Sequence, residues 1–455
     1  MSPLHPPVDE TVVNGTTVPR AELRLAPVTT MLPRPRVRRG RSQQLSRQRR
    51  LMALIPLGAF VSYVVWANMG WAQRDVWALI AFYSTVATVT FTIMVSGLKW
   101  RSFAHLEPAE GTVLVIVPVY NEDPAHVRET VLALATQSIR PTEIHVIDDG
   151  SAVPLEPFPI PGVFWHRQPN AGKREAQATV LREVADQHWD FILTVDSDSV
   201  PDPDALEHLL RSMSDHRVMA ATGMIFVRNW RDNLLTRLVD INVVSSCLMF
   251  RMIRSWFGVV TPTSGALALY RAELLYDNLE DYLSSGTAGD DRRLSFYGLL
   301  KGHVVGVSEA VVETHLPTTI AGTFHQRLRW SKSAWLGIPF VTTNLRPLAL
   351  FFYLYPLVFA LLWPFIVALL TTLWIQYGVP GLMYGFFYWT VVAITMTAIY
   401  ALYRPDLTTR ERWSLWALSP IYPALGVIVL RPAAYWALTK LRSTSWHTRE
   451  SPTGG

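Results

Sequence analysis

The sequence has little charge and almost no cysteine. Only 17% of its 455 residues are Asp, Glu, Lys or Arg, whereas 50% are hydrophobic and 17 are tryptophan. An ordinary globular protein carries about 25% charged residues. The shortage of charge predicts that part of the chain lies in a membrane. The single cysteine, Cys247, excludes a disulfide within the chain and fits a catalytic domain in the cytoplasm.

Two apolar runs near the N-terminus, residues 51–69 and 76–97, are each about 20 residues long, the length that spans a bilayer core. The short link between them predicts a transmembrane helical hairpin. Residues 1–50 are rich in Pro, Thr and Arg, and we expect a disordered basic tail. Eight arginines stand directly before the first run, which places the N-terminus in the cytoplasm. They are Arg34, Arg36, Arg38, Arg39, Arg41, Arg47, Arg49 and Arg50. The adjacent apolar run accounts for this cluster, so no nucleic-acid partner is predicted.

Three further apolar blocks follow, at about residues 348–374, 382–403 and 413–437. Prolines and Arg431 interrupt the last block. Three simple spans would put the tail, residues 438–455, outside the cell, but its basic residues favour the cytoplasmic side. We therefore interpret residues 347–437 as a transmembrane and re-entrant region and leave the number of spans open. The expected location is the plasma membrane, crossed several times.

The middle of the chain, residues 98–346, has the pattern of an α/β domain. Helical stretches begin near Ala125 and Arg174 and separate runs rich in β-branched residues. These runs lie at residues 113–117, 143–147 and 191–195. Continuous apolar strands alternating with helices predict a buried, largely parallel sheet.

Three carboxylates follow strands of this predicted sheet. In a doubly wound sheet, ligands bind beyond the carboxyl ends of the strands, where Asp149 and the pair Asp196 and Asp198 are expected. Two carboxylates one residue apart can hold one hard cation, Mg²⁺ or Mn²⁺, together with a diphosphate. An isolated Asp-x-Asp is more often an exposed turn, but its position after an apolar strand favours the metal. Lys173, at a loop-to-helix junction, fits a phosphate contact and surface charge equally well.

Two later motifs suggest the remaining parts of a transferase site. Asp290 and Asp291 follow a glycine-rich approach, where a carboxylate can accept the proton of an attacking hydroxyl or simply cap a helix. The stretch Gln326-Arg327-Leu328-Arg329-Trp330 offers guanidinium groups for a diphosphate and an indole on which a sugar can stack. The same stretch is also typical of an interfacial amphipathic helix.

Taken in order, these motifs resemble the processive membrane synthases of glycosyltransferase family 2, which include cellulose, chitin-oligosaccharide and hyaluronan synthases. The resemblance covers roughly residues 51–450 and is strongest to hyaluronan synthases. The segments that carry it are Gly172-Lys173-Arg174-Glu175-Ala176, Gly289-Asp290-Asp291-Arg292 and Arg329-Trp330-Ser331-Lys332-Ser333. It implies a GT-A, Rossmann-like α/β domain inserted between transmembrane helices.

The resemblance also implies a role for each site residue. Asp291 would be the catalytic base, with Asp290 the second choice, and Asp196 and Asp198 would bind the metal. The nucleotide-sugar site would comprise Tyr120, Asp148, Asp149, Lys173, Asp196 and Arg329. The acceptor site would comprise Ser264, Gly265, Gln326 and Trp330.

The expected activity is inverting, processive transfer from UDP-sugars to a growing β-linked polysaccharide that passes through the membrane. The donors would be UDP-GlcNAc, with or without UDP-GlcA, and an accessory export protein stays open. One alternative is a chitin-oligosaccharide-type synthase that uses UDP-GlcNAc alone. Others are a non-processive enzyme acting on a lipid carrier and a sugar sensor with a degenerate catalytic domain.

Overall fold

The computed structural model describes most of the chain beyond residue 100, together with two short N-terminal strands. The described residues are 10–13, 16–19, 101–285, 289–379, 393–394, 396–401, 403–404, 406–418 and 421–442. The predicted hairpin at 51–97 and the tail after residue 442 lie outside them.

Within the described residues, ten strands form two sheets. They are β1 (Glu10–Val13), β2 (Thr16–Pro19), β3 (Val113–Val119), β4 (Glu143–Asp148), β5 (Val163–Arg167), β6 (Phe191–Thr194), β7 (Ser199–Pro201), β8 (Val218–Val227), β9 (Ala268–Arg271) and β10 (His303–Thr314). β1 and β2 pair with each other, and the other eight form one sheet in the order β5-β4-β3-β6-β9-β8-β10-β7.

Helices cover both faces of the large sheet and continue beyond it. They are α1 (Pro124–Ala135), α2 (Lys173–Glu183), α3 (Ala205–Met213), α4 (Leu234–Ser246), α5 (Met252–Trp256), α6 (Glu273–Tyr276), α7 (Leu279–Ser284), α8 (Asp290–Lys301), α9 (Ile320–Leu336), α10 (Ile338–Asn344), α11 (Pro347–Tyr377), α12 (Thr409–Leu418), α13 (Tyr422–Leu425) and α14 (Arg431–Thr439). Two π-helical segments, Cys247–Arg251 and Gly426–Leu430, follow α4 and α13.

The central strand β3 shows how the sheet forms two cores. Successive side chains of a strand point to opposite faces. Val115 and Val117 pack with α1 and α3, whereas Leu114 and Ile116 pack with α2 and α8. All seven residues of β3 are buried. A strand covered on both sides must be apolar throughout, which explains its uninterrupted hydrophobic sequence.

The large sheet is mixed, which corrects the expectation of a largely parallel one. β5, β4, β3 and β6 are parallel, and β8 is parallel to β10. However, β9 is antiparallel to both β6 and β8, and β7 is antiparallel to β10. The strand β9 is only four residues long, and its direction depends on its pairing with β6 and β8, which the local sequence pattern does not show.

The strands β1 and β2 lie within residues 1–50, where a disordered tail was expected. Thr and Val side chains favour extended backbone, and the sequence Asn14-Gly15 between two β-branched pairs is a strong hairpin signal. The prediction of disorder was based on the Pro, Thr and Arg content of residues 1–50 as a whole and did not use this local hairpin signal.

Four helices described after residue 346 follow the sheet domain. α11 begins at Pro347, and α12, α13 and α14 divide the last apolar block into short pieces near its prolines. Trp335 of α9 donates a hydrogen bond from Nε1 to the Ala434 carbonyl of α14 at 3.1 Å, which connects the two regions. Within the described ranges, no helix combines the length and the apolarity needed to cross a membrane.

Candidate active site

The predicted donor residues lie where neighbouring parallel strands end. Tyr120 follows β3, Asp148 ends β4 and Asp149 follows it, and Asp196 comes just after β6. β4, β3 and β6 are adjacent and parallel. The carboxyl ends of these strands therefore lie side by side at one edge of the sheet, where the sequence predicted the donor residues.

Asp148 and Asp149 have separate sets of partners. The Asp148 carboxylate accepts from Arg167 Nη1 at 2.7 Å and from the Ser151 backbone N–H at 2.8 Å. The Asp149 carboxylate accepts from the backbone N–H groups of Ala171 and Gly172 at 3.0 and 2.8 Å. Asp148 thus fixes the turn after β4, and Asp149 fixes the loop that leads into α2.

Lys173 joins the donor motif to the predicted base motif. Its ammonium lies 2.6 Å from Asp196 Oδ1 and 2.9 Å from Asp290 Oδ2. Burial lowers the pKa of Lys173, but the two carboxylates outweigh this effect and raise it well above its usual value. The amine is therefore a permanent positive charge between two motifs that are 94 positions apart in sequence.

The turn Thr263-Ser264-Gly265 supports both carboxylate motifs. A Cβ on Gly265 would stand 2.8 Å from Asp196 Oδ2 and 3.1 Å from Lys173 Nζ, so only glycine leaves room for this ion pair. Thr263 donates from Oγ1 to the Asp291 carbonyl at 3.0 Å. The side chain of Ser264 is almost fully buried. Gly265 therefore contacts the donor motif, whereas its predicted role with Ser264 in acceptor binding stays a prediction.

Asp290 and Asp291 open α8 after Gly289, whose φ of 103° favours glycine. Burial raises the pKa of Asp290, but Lys173 outweighs this effect and holds it below its usual value. Burial and then the Asp290 charge raise the pKa of Asp291 to about 6. Asp290 is thus a paired anion, and Asp291 is the more basic carboxylate of the two.

Arg174 holds the loop before α8. Its guanidinium donates to the Tyr282 carbonyl at 2.8 Å, to Ser285 Oγ at 2.8 Å and to the Gly289 carbonyl at 3.2 Å. In the sequence alone, Arg174 stands beside Lys173 at the helix start and fits a phosphate contact and surface charge equally well. In the structure it positions the base motif instead.

Helix α9 carries the predicted acceptor residues Gln326 and Trp330 and the predicted nucleotide-sugar residue Arg329. Thr319 caps its N-terminus, accepting from the Gly322 N–H at 3.1 Å. Trp330 is 43% exposed, so its indole is available to a ligand. Gln326 Oε1 is covered and has no hydrogen-bond partner within the described residues. A covered acceptor atom fits a ligand hydroxyl that would donate to it.

A contact between α8 and α9 brings the base and acceptor motifs together. Arg292 donates from Nε to Ser333 Oγ at 2.9 Å. A Cβ on Gly289 would stand 2.4 Å from the same Ser333 oxygen, so the start of α8 packs directly on α9. Arg292 and Ser333 both belong to segments that carry the family resemblance, but only the fold shows that they are in contact.

Asp196 and Asp198 are the candidate metal ligands. Burial raises the pKa of Asp196, the Lys173 ammonium opposes this, and the Asp198 and Asp290 charges raise it further. Asp196, Asp198 and Asp290 can carry three negative charges, whereas Lys173 supplies one positive charge. The carboxylates of this site therefore fit a divalent cation. Among the residues that the structure describes, no three His, Cys, Asp or Glu side chains form a metal cluster. Two carboxylates suit Mg²⁺ or Mn²⁺ that completes its shell with phosphate and water.

Several supporting residues could not be found from the sequence. Thr314 at the end of β10 donates to Asp198 Oδ1 at 3.2 Å, and Gln168 donates to Asp149 Oδ1 at 2.7 Å. Ser295 of α8 donates to the Asp291 carbonyl at 2.7 Å. Each is an ordinary polar residue outside any motif, so only the fold reveals its position.

The sheet and the acidic site at its edge define a glycosyltransferase with a GT-A-like α/β fold. A family model described as glycosyl transferase family 2 matches residues 114–279. Hyaluronan synthase of Streptococcus pyogenes is 32% identical in an alignment of length 395 that covers 81% of this chain and 90% of that protein. An N-acetylglucosaminyltransferase of Mesorhizobium japonicum is 28% identical in an alignment of length 405 that covers 82% of this chain and 93% of that protein. The chain belongs to glycosyl transferase family 2.

Among solved structures, a mannosyltransferase from Pyrobaculum calidifontis in complex with GDP-Man and Mn²⁺ is similar at a TM-score of 0.46 and 16% identity. The match covers 87% of this chain and 98% of that one. A score at this level supports no conclusion about the activity of the chain.

Proposed function

We propose that the chain is a membrane-embedded, processive, inverting glycosyltransferase that polymerises UDP-activated sugars and passes the product through the membrane. The observation that carries the proposal is the Lys173 bridge between Asp196 and Asp290. This ion pair supports the proposal because it brings the proposed diphosphate site close to the motif that contains Asp291, the proposed base, as a direct displacement would require.

The donor would bind at the edge formed by β3, β4 and β6. Tyr120, Asp148 and Asp149 would shape the nucleotide pocket, and Lys173 and Arg329 would contact the diphosphate. Asp196 and Asp198 would hold Mg²⁺ or Mn²⁺, which supplies positive charge to the departing nucleoside diphosphate. Asp149 keeps the backbone of the loop before α2 in place through its contacts with Ala171 and Gly172.

The acceptor would approach from α9. A sugar ring stacked on Trp330 and held by Gln326 would present its hydroxyl to Asp291, with Ser264 and Gly265 beneath it. Asp291 would take the hydroxyl proton as the new bond forms at the anomeric carbon and the nucleoside diphosphate leaves. A single displacement inverts that carbon and forms no covalent sugar on the enzyme.

The membrane part of the proposal rests on the sequence and on exposed aromatic residues. Apolar runs of spanning length stand before and after the catalytic domain, and arginines precede the first. Trp413 and Trp436, near the end of the chain, are 72% and 54% exposed. Exposed tryptophans are typical of membrane interfaces. We therefore propose a plasma-membrane protein whose catalytic domain faces the cytoplasm.

The similarity to both a hyaluronan synthase and an N-acetylglucosaminyltransferase favours two candidate donor sets. The purified full-length protein should be given UDP-GlcNAc, UDP-GlcA or both, with Mg²⁺ or Mn²⁺, and UDP release and polymer length should be measured. Release and long polymer only with both donors would support a hyaluronan-type synthase. Polymer from UDP-GlcNAc alone would support the chitin-oligosaccharide type, and no turnover with any combination would contradict the proposal.

A further inference from the structure

Arg327 lies between the acceptor residues of α9, yet the predicted catalytic roles do not use it. Its guanidinium lies 4.6 Å from the centre of the Trp330 ring. Two of its nitrogens, Nε and Nη2, are covered and have no hydrogen-bond partner in the described part of the chain. Covered N–H groups of a charged guanidinium are costly unless something satisfies them.

Among the described residues, the groups that act on the Arg327 charge are Tyr422 and Cys247 at the edge of a hydrophobic cluster, and they include no acid that would neutralise it. Burial lowers the pKa of Arg327 to about 10, and the groups that oppose this effect are Tyr422 and Cys247. The side chain therefore stays charged at neutral pH. Asn242 of α4 donates to the Tyr422 hydroxyl at 3.0 Å, and Arg431 of α14 is a second positive charge close to that hydroxyl.

We propose that these four side chains, Arg327, Arg431, Tyr422 and Asn242, form a pocket that binds a carboxylate of the growing glycan beside Trp330. We call it the arginine pocket. It would select a polymer that contains uronate residues over a neutral one. This inference rests on the proposed function and narrows its substrate class.

The position of the pocket favours the polymer over the donor as the source of the anion. The described groups that act on Arg327 are Tyr422 of α13 and Cys247 of the π-helical segment after α4, and neither comes from the strand-end loops that carry Lys173 and Asp196. A sugar stacked on Trp330 would bring its neighbour in the chain close to the guanidinium. The nitrogens Nε and Nη2, which have no hydrogen-bond partner among the described residues, suit a carboxylate, because arginine binds carboxylates in a planar, two-point geometry. A neutral sugar would leave the positive charge without a counterpart.

The test compares two oligosaccharides of equal length on the full-length protein in nanodiscs of a zwitterionic lipid. One is a tetrasaccharide of alternating GlcNAc and glucuronate, and the other is chitotetraose. Calorimetry without UDP-sugars should give at least roughly tenfold tighter binding of the anionic one, as expected for a charged hydrogen bond. The difference should shrink as salt is added.

Arg327→Gln should bring the two affinities to within about twofold, and Arg327→Lys should retain part of the preference because it keeps the charge. Arg140→Gln, which removes an exposed arginine, is the matched control and should leave the preference unchanged. Arg431→Gln should weaken the preference in the same direction and provides a second variant if Arg327→Gln does not fold.

Equal affinities in the unmodified protein would overturn the inference, as would a preference that folded Arg327→Gln retains. UDP release should be measured on the same preparation. Polymer formation without an anionic preference would refute the arginine pocket alone. A clear preference without turnover on any donor would refute the proposed function and leave the pocket standing.

Discussion

Asp290 and Asp291 are neighbours in the sequence but differ in their electrostatic surroundings. Asp290 is paired with Lys173, whereas burial and the adjacent Asp290 raise the pKa of Asp291 to about 6. A carboxylate with a raised pKa holds a proton more strongly and is the better general base near neutral pH. The structure thus gives a physical reason to prefer Asp291.

Replacing Asp291 with Asn should abolish most of the transfer without affecting donor binding. Loss of a general base typically costs on the order of 10² to 10⁴ in rate. The affinity for UDP should persist, because Lys173 and Asp196 keep their contact. UDP release and calorimetric UDP binding measure the two effects. Glu280→Gln, at an exposed carboxylate on α7, is the control, and normal turnover in Asp291→Asn would refute the base assignment.

The activity should also fall on the acid side of about pH 6. Asp291 can accept a proton only when ionised, and its ionised fraction decreases as the pH falls through its raised pKa. The value of kcat/KM for UDP release should therefore be level above about pH 7 and should decline about tenfold per pH unit well below pH 6. A profile that stays level down to about pH 5 would contradict the predicted protonation state.

The sequence identified the residue types of the site better than their contacts. Asp196, Asp290 and Lys173 were all expected at the site, but nothing in their spacing shows that one ammonium joins both carboxylates. Arg174 stands beside Lys173 in sequence and points to the loop before α8 instead. Such assignments depend on side-chain direction, which the fold alone determines.

At the scale of elements, α8 and α9 must be aligned for catalysis. Ser333→Ala removes the hydrogen bond from Arg292 and should loosen the position of Asp291 relative to Trp330. We expect kcat to fall by roughly tenfold or more, because small errors in position are costly in a transfer reaction. Steady-state UDP release and UDP binding would separate this effect from a loss of donor affinity.

Ser331→Ala is the matched control, since it makes the same change two residues earlier on α9. It should leave kcat unchanged. Equal losses in both variants, or a loss confined to UDP affinity, would show that the contact between Arg292 and Ser333 does not align the base.

The elements themselves were predictable where the chain is strongly apolar. The runs that became β3, β4 and β6 were expected as strands because they are rich in β-branched residues. In the structure, all three strands are buried. The direction of β9 was not, because its order in the sheet depends on contacts with β6 and β8, which are distant in sequence. A four-residue strand carries too little pattern to reveal such partners.

At the scale of the whole molecule, a buried ion pair joins the sheet domain to the C-terminal region. Arg404 donates from Nη1 to Asp240 Oδ1 at 2.9 Å and from Nη2 to the Val227 carbonyl at 3.0 Å. Asp240 and Arg404 are almost completely buried. Tyr400 also donates to the Asp240 carboxylate. The end of β8, helix α4 and the segment after residue 396 therefore share one polar network.

Asp240→Ala should destabilise the protein strongly, because it removes the buried acceptor of Arg404 Nη1 and leaves Asp406, 2.9 Å from Nε, as the carboxylate that remains paired with Arg404. Breaking a buried pair from one side typically costs about 3–5 kcal/mol. The thermal midpoint in detergent should fall by several degrees. Asp277→Ala, at the exposed pair with Lys301, is the control and should cost about 1 kcal/mol or less. Equal midpoints for the two variants would argue against this network as a structural link.

The most direct test of processive synthesis is the product length at very low turnover. The full-length protein should be given its donors for a time in which only a small fraction is consumed, and the products should be sized. A processive enzyme holds each chain on α9 through many transfers, so the account predicts long polymer from the earliest time point. Short products that all lengthen together by single sugars would contradict it.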